Sequence, residues 1–288
     1  MSDGSTIEWL ARPSTKPATW NPVTGCTKCS PGCKNCYAER MSKRLAGRHG
    51  YPEAPRNFDV TLHPDKLAQP RHWRKPRTIF VVSMGDLFHE KVPYSYIQNV
   101  WNIMETADQH TFLVLTKRPD RMLDFLTSSE GRFAVRGYMR PLPNVWLGVT
   151  AENQNALKQR WPVLQQVEAA IKFLSVEPML DDVFAAFEQG WSLPDWISFG
   201  GESGTGARPM HPNWLRAGLE FCRCWGIPPF FKQWGAWAPY PTDSSPSYAH
   251  HYWWDKEPAQ GRPTMHRIGK KAAGHLLDGK EYREWPTT

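Results

Sequence analysis

Long hydrophobic runs are missing from this chain of 288 residues: no stretch of about eighteen apolar residues exists, which excludes a membrane-spanning helix. No charged-plus-apolar leader opens it either, so the cytoplasm is the expected compartment. Cysteine is scarce, with six in all, and a long chain without a leader does not read as a small secreted scaffold stapled by disulfides. Acidic residues are the minority charge, 28 against 35 Lys and Arg, and the net charge of +7 permits a polyanionic partner without establishing one. What the chain does have is 40% hydrophobic residues, enough for one substantial core with a decorated C-terminus, and fifteen Trp, which suit core packing or stacking on bases.

The scarce cysteines are not scattered. Cys26, Cys29, Cys33 and Cys36 fall within WNPVTGCTKCSPGCKNCYAER (residues 20–40), separated by small, polar and turn-forming residues. Such a loop can turn several thiolates toward one centre, which suits zinc or an iron–sulfur cluster. A structural zinc site usually draws two Cys pairs from places a dozen or more residues apart. Here three residues separate Cys29 from Cys33, which favours a compact cluster. A zinc knuckle that pins the N-terminal loop is the plainer alternative.

From Thr78 the chain becomes regular. TIFVVSMGD from Thr78, TFLVLTKRP from Thr111, NVWLGVTAEN from Asn144, IKFLSVEP from Ile171, DWISFGGESG from Asp195 and PFFKQWG from Pro229 are short apolar runs that read as buried parallel strands. Helical patterns over Tyr94–Asp108, Asn153–Gln166 and Asn213–Trp225 lie between them, with another at Tyr37–Leu45. Strand–helix alternation predicts an α/β fold, a partial or complete (β/α) TIM-like barrel, with a doubly wound open sheet as the alternative. Each run turns polar at its C-terminal end, where such folds keep their sites. An early strand is expected at Thr19–Pro22, and an unstructured lid over Ala238–Pro263. The domains expected are residues 1–237 for the barrel and 238–288 for an extension.

The spacers of three and two residues between Cys29, Cys33 and Cys36 resemble the cluster motif of the radical S-adenosylmethionine (SAM) enzymes. The wider run WNPVTGCTKCSPGCKNCYAE resembles an uncharacterised, phage-associated family with a three-cysteine motif, whose first ligand matches Cys26. Cys33 and Cys36 are common to both, and Cys26 and Cys29 compete for the third iron. The resemblance extends over the strand ends and the tail TMHRIGKKAAGHLLDGKEYREWP (residues 264–286), nearly the whole chain.

It implies a 4Fe–4S cluster, SAM, an electron donor such as flavodoxin or ferredoxin, and hydrogen abstraction from a substrate, with the spore-photoproduct-lyase branch as the nearest functional relative. Met84-Gly85-Asp86 matches by position the Gly-Gly-Glu-like turn that holds the SAM ammonium, although Asp replaces Glu and one Gly is kept. Asp86, Gly85 and Ser83 are thus assigned to the ammonium. Lys117 and Arg118 suit the SAM carboxylate, Thr150 or Asn153 the ribose, and Glu177 a cation or sugar.

Gly201 and Glu202, in the literal Gly-Gly-Glu, and Lys232 and Gln233 are read as substrate contacts; a tight turn is the plainer alternative for the first two. Arg267, Lys270 and Lys271 suit an anion, with a nucleic-acid base or nucleotide as the expected substrate, and Asp278-Gly279 reads as a hairpin turn. Cys222 and Cys224, two apart on a helix, fall on different faces. His250 and His251 are weak metal candidates. The alternative function is a zinc-stabilised, non-catalytic nucleic-acid-binding protein.

Overall fold

The apolar runs fold as strands, because β-branched and aromatic side chains suit a pleated surface covered on both faces. A computed structural model describes residues 4–128, 141–239, 250–252 and 264–287. The first strand, β1, is Lys16–Trp20, and the two-residue strands β2 (Val23–Thr24) and β3 (Thr61–Leu62) pair antiparallel. After them come β4 (Arg77–Val81), β5 (Thr111–Thr116), β6 (Val145–Thr150), β7 (Ile171–Val176), β8 (Trp196–Gly200) and β9 (Pro229–Gln233). Every residue of β6 and β8 is buried.

A seven-stranded parallel sheet takes the order β1-β4-β5-β6-β7-β8-β9. Its strands follow chain order throughout, whereas a doubly wound sheet reverses direction at a switch point. The topology is therefore the singly wound (β/α) one, in its partial form with seven strands rather than the eight of a closed barrel.

The helices are α1 (Tyr37–Leu45), α2 (Tyr94–Thr106), α3 (Pro119–Thr127), α4 (Gln154–Gln165), α5 (Pro212–Trp225) and the single turn α6 (Lys270–Ala273). The α1 bounds match the sequence expectation. Helix α3 was not expected; one signal is Pro119 at the first helical position, where the missing N–H costs nothing. Gly226, left-handed at φ 66°, ends α5. Cys222 is buried and Cys224 exposed, as their spacing requires.

The chain forms two compact units, one of Met1–Cys29, Cys36–Thr150 and Gln159–Leu174, the other of Ser30–Asn35, Ala151–Lys158 and Ser175–Thr288. In the first, Trp9 packs edge-on against Phe80 and Phe173 at 5.1 and 5.8 Å. In the second, Trp196 meets Phe230 at 6.1 Å, and Phe230 meets Trp285 at 5.1 Å. Trp9, Trp20, Trp146, Trp161, Trp196 and Trp234 are all fully buried, so packing accounts for these six.

The expected lid is corrected at its start and in its middle. Trp237–Pro239 and His250–Tyr252 are strands β10 and β11, which flank β12 (Met265–Arg267) in an antiparallel sheet. The rest of that stretch, residues 240–249 and 253–263, lies outside the described residues, as does the side chain of His250. The expected hairpin is present: Leu277 and Lys280 exchange backbone bonds of 3.0 and 2.9 Å across Asp278 and Gly279, at φ 51° and 74°. Among the described residues no helix is long and apolar enough to cross a membrane.

Candidate functional site

The cysteine loop leaves the C-terminal end of β1 and is pinned at once to the C-terminal side of β4. Gly25 bridges Gly85, with Gly25 N donating to Met84 O at 2.9 Å. Both positions demand glycine: a Cβ on Gly85 would stand 2.7 Å from Gly25 O, and Gly25, at φ 83°, would press one to 2.1 Å from Asp59 O. Cys26 N then donates to Phe58 O at 3.2 Å. The first thiol is thereby fixed beside the strand ends.

There it meets Arg118, two residues past the end of β5. Arg118 Nη1 donates to Cys26 Sγ at 3.4 Å and to Asp86 Oδ2 at 3.2 Å. Nη2 donates to Thr27 O at 3.1 Å and Thr27 Oγ1 at 3.0 Å, and Nε stands 3.3 Å from Glu90 Oε2. Burial works to lower the Arg118 pKa, but Asp86 and the thiolate forms of Cys26 and Cys29 outweigh it, and the net shift is upward.

Asp86 is buried and its acceptors are taken up. Oδ1 receives Phe88 N at 3.0 Å and the Thr116 hydroxyl at 2.7 Å, while Oδ2 receives Lys117 N at 3.2 Å and Arg118. The geometry thus turns Asp86 inward, to Arg118 and the turn after β5, where the sequence suggested an ammonium ligand. Ser83 is tied to Asn21 Oδ1 at 3.2 Å, which also accepts from Met84 N at 3.0 Å. Fully buried His89, which the sequence reading passed over, joins the group. Its Nδ1 accepts from Lys91 N at 3.2 Å, so the neutral ring carries its proton on Nε2 and donates to Thr27 Oγ1 at 2.9 Å. Burial first, and then Arg118, push the His89 pKa down.

In the second unit, residues Ser30–Asn35 carry Cys33. Gly32 N donates to Oε1 of the buried Glu152 at 3.2 Å. Asn35 Nδ2 donates to Glu202 Oε2 at 2.9 Å and Gly206 O at 2.7 Å. Arg208 forks onto the same carboxylate through Nε at 2.8 Å and Nη2 at 2.5 Å, and Nη2 reaches Pro31 O at 3.0 Å. Glu202 is therefore a clamp on the cysteine-bearing loop. Burial raises its pKa, but the bonds from Arg208 and Asn35 outweigh that and hold it below the usual carboxylate range. Gly201 packs where a Cβ would meet Trp234 O at 1.9 Å, the tight turn read from sequence as its plainer alternative.

Asn153 Oδ1 accepts from Ala156 N at 2.8 Å and caps α4, a local bond that its position just before the helix encourages. Thr150 is buried, and its carbonyl accepts from Arg160 Nη1 at 2.8 Å. Glu177 pairs with Lys232 and accepts from Gln233 Nε2 at 3.1 Å. Desolvation raises the Glu177 pKa, and Lys232, Gln233 and Lys270 together bring it below normal. Gln233 Oε1 is buried without a hydrogen-bond donor among the described residues. Arg267 Nη2 holds Gly204 O at 3.2 Å, and Lys270 and Lys271 are exposed.

Glu152 had been visible as a polar strand ending. Arg208 carried one signal, its place six residues after Glu202 in a Gly-rich turn. Asn35 and His89 carried none, because their partners lie far away in sequence.

All six cysteines are thiols rather than disulfides. Among the described residues no three Cys, His, Asp or Glu side chains form a ready-made metal centre. Four thiols on one loop, one of them hydrogen-bonded to a guanidinium, nevertheless fit a thiolate-ligated cluster by donor chemistry.

Fold and site define a class: a singly wound α/β protein with a thiol-rich loop at the C-terminal ends of its strands. The chain belongs to the family described as Protein of unknown function (DUF5131), whose model matches residues 4–286. No curated protein matches it. It is similar to a solved structure of a spore photoproduct lyase double mutant with bound AdoMet and dinucleoside spore photoproduct, at 10% identity and a TM-score of 0.45, covering 94% of this chain and 74% of that one. Spore photoproduct lyase complexed with dinucleoside spore photoproduct is similar at 11% identity and a TM-score of 0.41, covering 93% and 73%.

Proposed function

We propose that this protein is a radical SAM-type iron–sulfur enzyme acting on a nucleic-acid base or nucleotide. The observation that carries the reading is the seating of the cysteine loop: Gly25 bridges Gly85, and Cys26 accepts a hydrogen bond from Arg118, so a thiol stands at the strand ends where (β/α) folds do their chemistry. When bound, the 4Fe–4S cluster and SAM supply one-electron cleavage of the sulfonium and, through it, hydrogen abstraction. Cys33 and Cys36, with Cys26 or Cys29, are the proposed ligands.

The chain's own residues bind and orient. Arg118, Asp86 and His89 fix the Cys26–Thr27 segment, and Glu152, Glu202 and Arg208 fix the segment that carries Cys33. Lys117 and Thr150 are proposed to contact SAM, while Lys232, Gln233 and the tail cations face the substrate. Gln233 retains a buried acceptor for a substrate N–H or O–H. The net charge of +7 permits an anionic substrate.

Anaerobic reconstitution with iron and sulfide tests the reading. The wild type should take up about four irons per chain, and Cys33→Ser and Cys36→Ser should lose most of them. Tightly held zinc with no iron uptake would instead make the protein a zinc-stabilised nucleic-acid binder.

A further inference from the structure

Arg118 was expected to grip the SAM carboxylate, and its surroundings assign it other work. All three guanidinium nitrogens are engaged: Nη1 with Cys26 Sγ and Asp86, Nη2 twice with Thr27, and Nε with Glu90. A bidentate grip on a ligand carboxylate needs two free parallel N–H groups, and here the fork is spent on the loop. Its orientation is set from behind, because Asp86 is itself held by Thr116, Phe88 N and Lys117 N. The segment it grips is also held by His89, whose Nε2 bonds to the same Thr27 hydroxyl.

We propose that Arg118 is a positioning residue that donates an N–H···S hydrogen bond to the cluster ligand Cys26 and so raises the reduction potential of the bound cluster. The proposal rests on the iron–sulfur reading above. Adding an electron makes a cluster more negative, and a hydrogen-bond donor and fixed positive charge at one of its sulfurs stabilise that reduced form. Lysine would keep the charge but lose the fork that reaches Cys26, Asp86 and Thr27 together. An uncharged side chain would lose both.

The test is a redox titration of the reconstituted full-length protein on wild type, Arg118→Lys and Arg118→Gln, followed by paramagnetic resonance without SAM, with the response of the reduced signal to added SAM recorded separately. Iron per chain is measured on the same samples. The expected result is a midpoint potential that falls from wild type to Arg118→Lys and further to Arg118→Gln. Glu90, with its side chain 61% exposed, gives a variant that spares the fold. Glu90→Gln removes a negative charge from Arg118 and should shift the potential upward.

Unchanged potentials in all three variants, with the SAM response lost in the Arg118 variants, would overturn the proposal and return Arg118 to the SAM carboxylate. A full iron complement in Cys26→Ser would overturn it too, by making Cys26 a bystander. Failure of the wild type to bind iron is a separate result, which removes the iron–sulfur reading itself.

Discussion

Single residues at the strand ends do their first work on the protein itself. Glu202 shows how: Arg208 and Asn35 stabilise its charged form, so its folded-state pKa lies below the ordinary value of 4.5. A carboxylate depressed in this way contributes stability that is fully present above its unfolded pKa and is lost as pH falls through the folded one. Urea unfolding from neutral pH down into the acid range should therefore show wild type losing stability below pH 4.5, with Glu202→Gln less stable at neutrality and flatter in that window. The neutral-pH difference should be about 2 kcal/mol, the scale of hydrogen bonds to a buried charge. A variant that titrates in parallel with the wild type would mean that Arg208 and Asn35 do not clamp this carboxylate.

At the scale of elements, the strands were legible and the partners of their ends were not. A run such as VWLGVT, short, largely apolar and β-branched, reads as a covered strand, and β6 has all six residues buried. Helices α1, α2, α4 and α5 followed from their helical patterns, whereas α3 is a nine-residue segment whose signals, Pro119 at its start, Asp120 in its first turn and Met122 and Phe125 one turn apart, were not read. The polar residues after each strand were equally visible, but a sequence does not say whether such a side chain meets a ligand, a helix end or another loop. Asn153 meets a helix end, a bond set three residues away and readable in principle. Asp86 and Arg118 meet across 32 residues, and Asn35 and Glu202 across 167, and no local pattern encodes those pairs.

The join between the cysteine loop and β4 is the element contact with the least tolerance. Gly85→Ala would place a methyl 2.7 Å from Gly25 O, against backbone that has no flexible end to move. Overpacking of this kind costs about 2 kcal/mol, and the turn bearing Cys26 should shift with it. We expect a lower urea midpoint and reduced iron uptake in Gly85→Ala. Wild-type iron content at the lower stability would mean that this bridge supports the fold without placing the ligand.

For the molecule as a whole, the sequence carried the fold class through the alternation of strands and helices, and the singly wound order of seven strands decides between its two readings. Tryptophan proved ambiguous by composition and clear by position: six are fully buried, while Trp225 alone among the described tryptophans is markedly exposed, at 58%. The central claim is that the cysteine loop at the strand ends holds a cluster with an iron open to SAM. The most direct measurement is paramagnetic resonance of the anaerobically reconstituted, reduced protein with and without SAM. A reduced 4Fe–4S signal that shifts when SAM is added is the predicted result; a protein that holds zinc, forms no cluster and gives no response to SAM would contradict it.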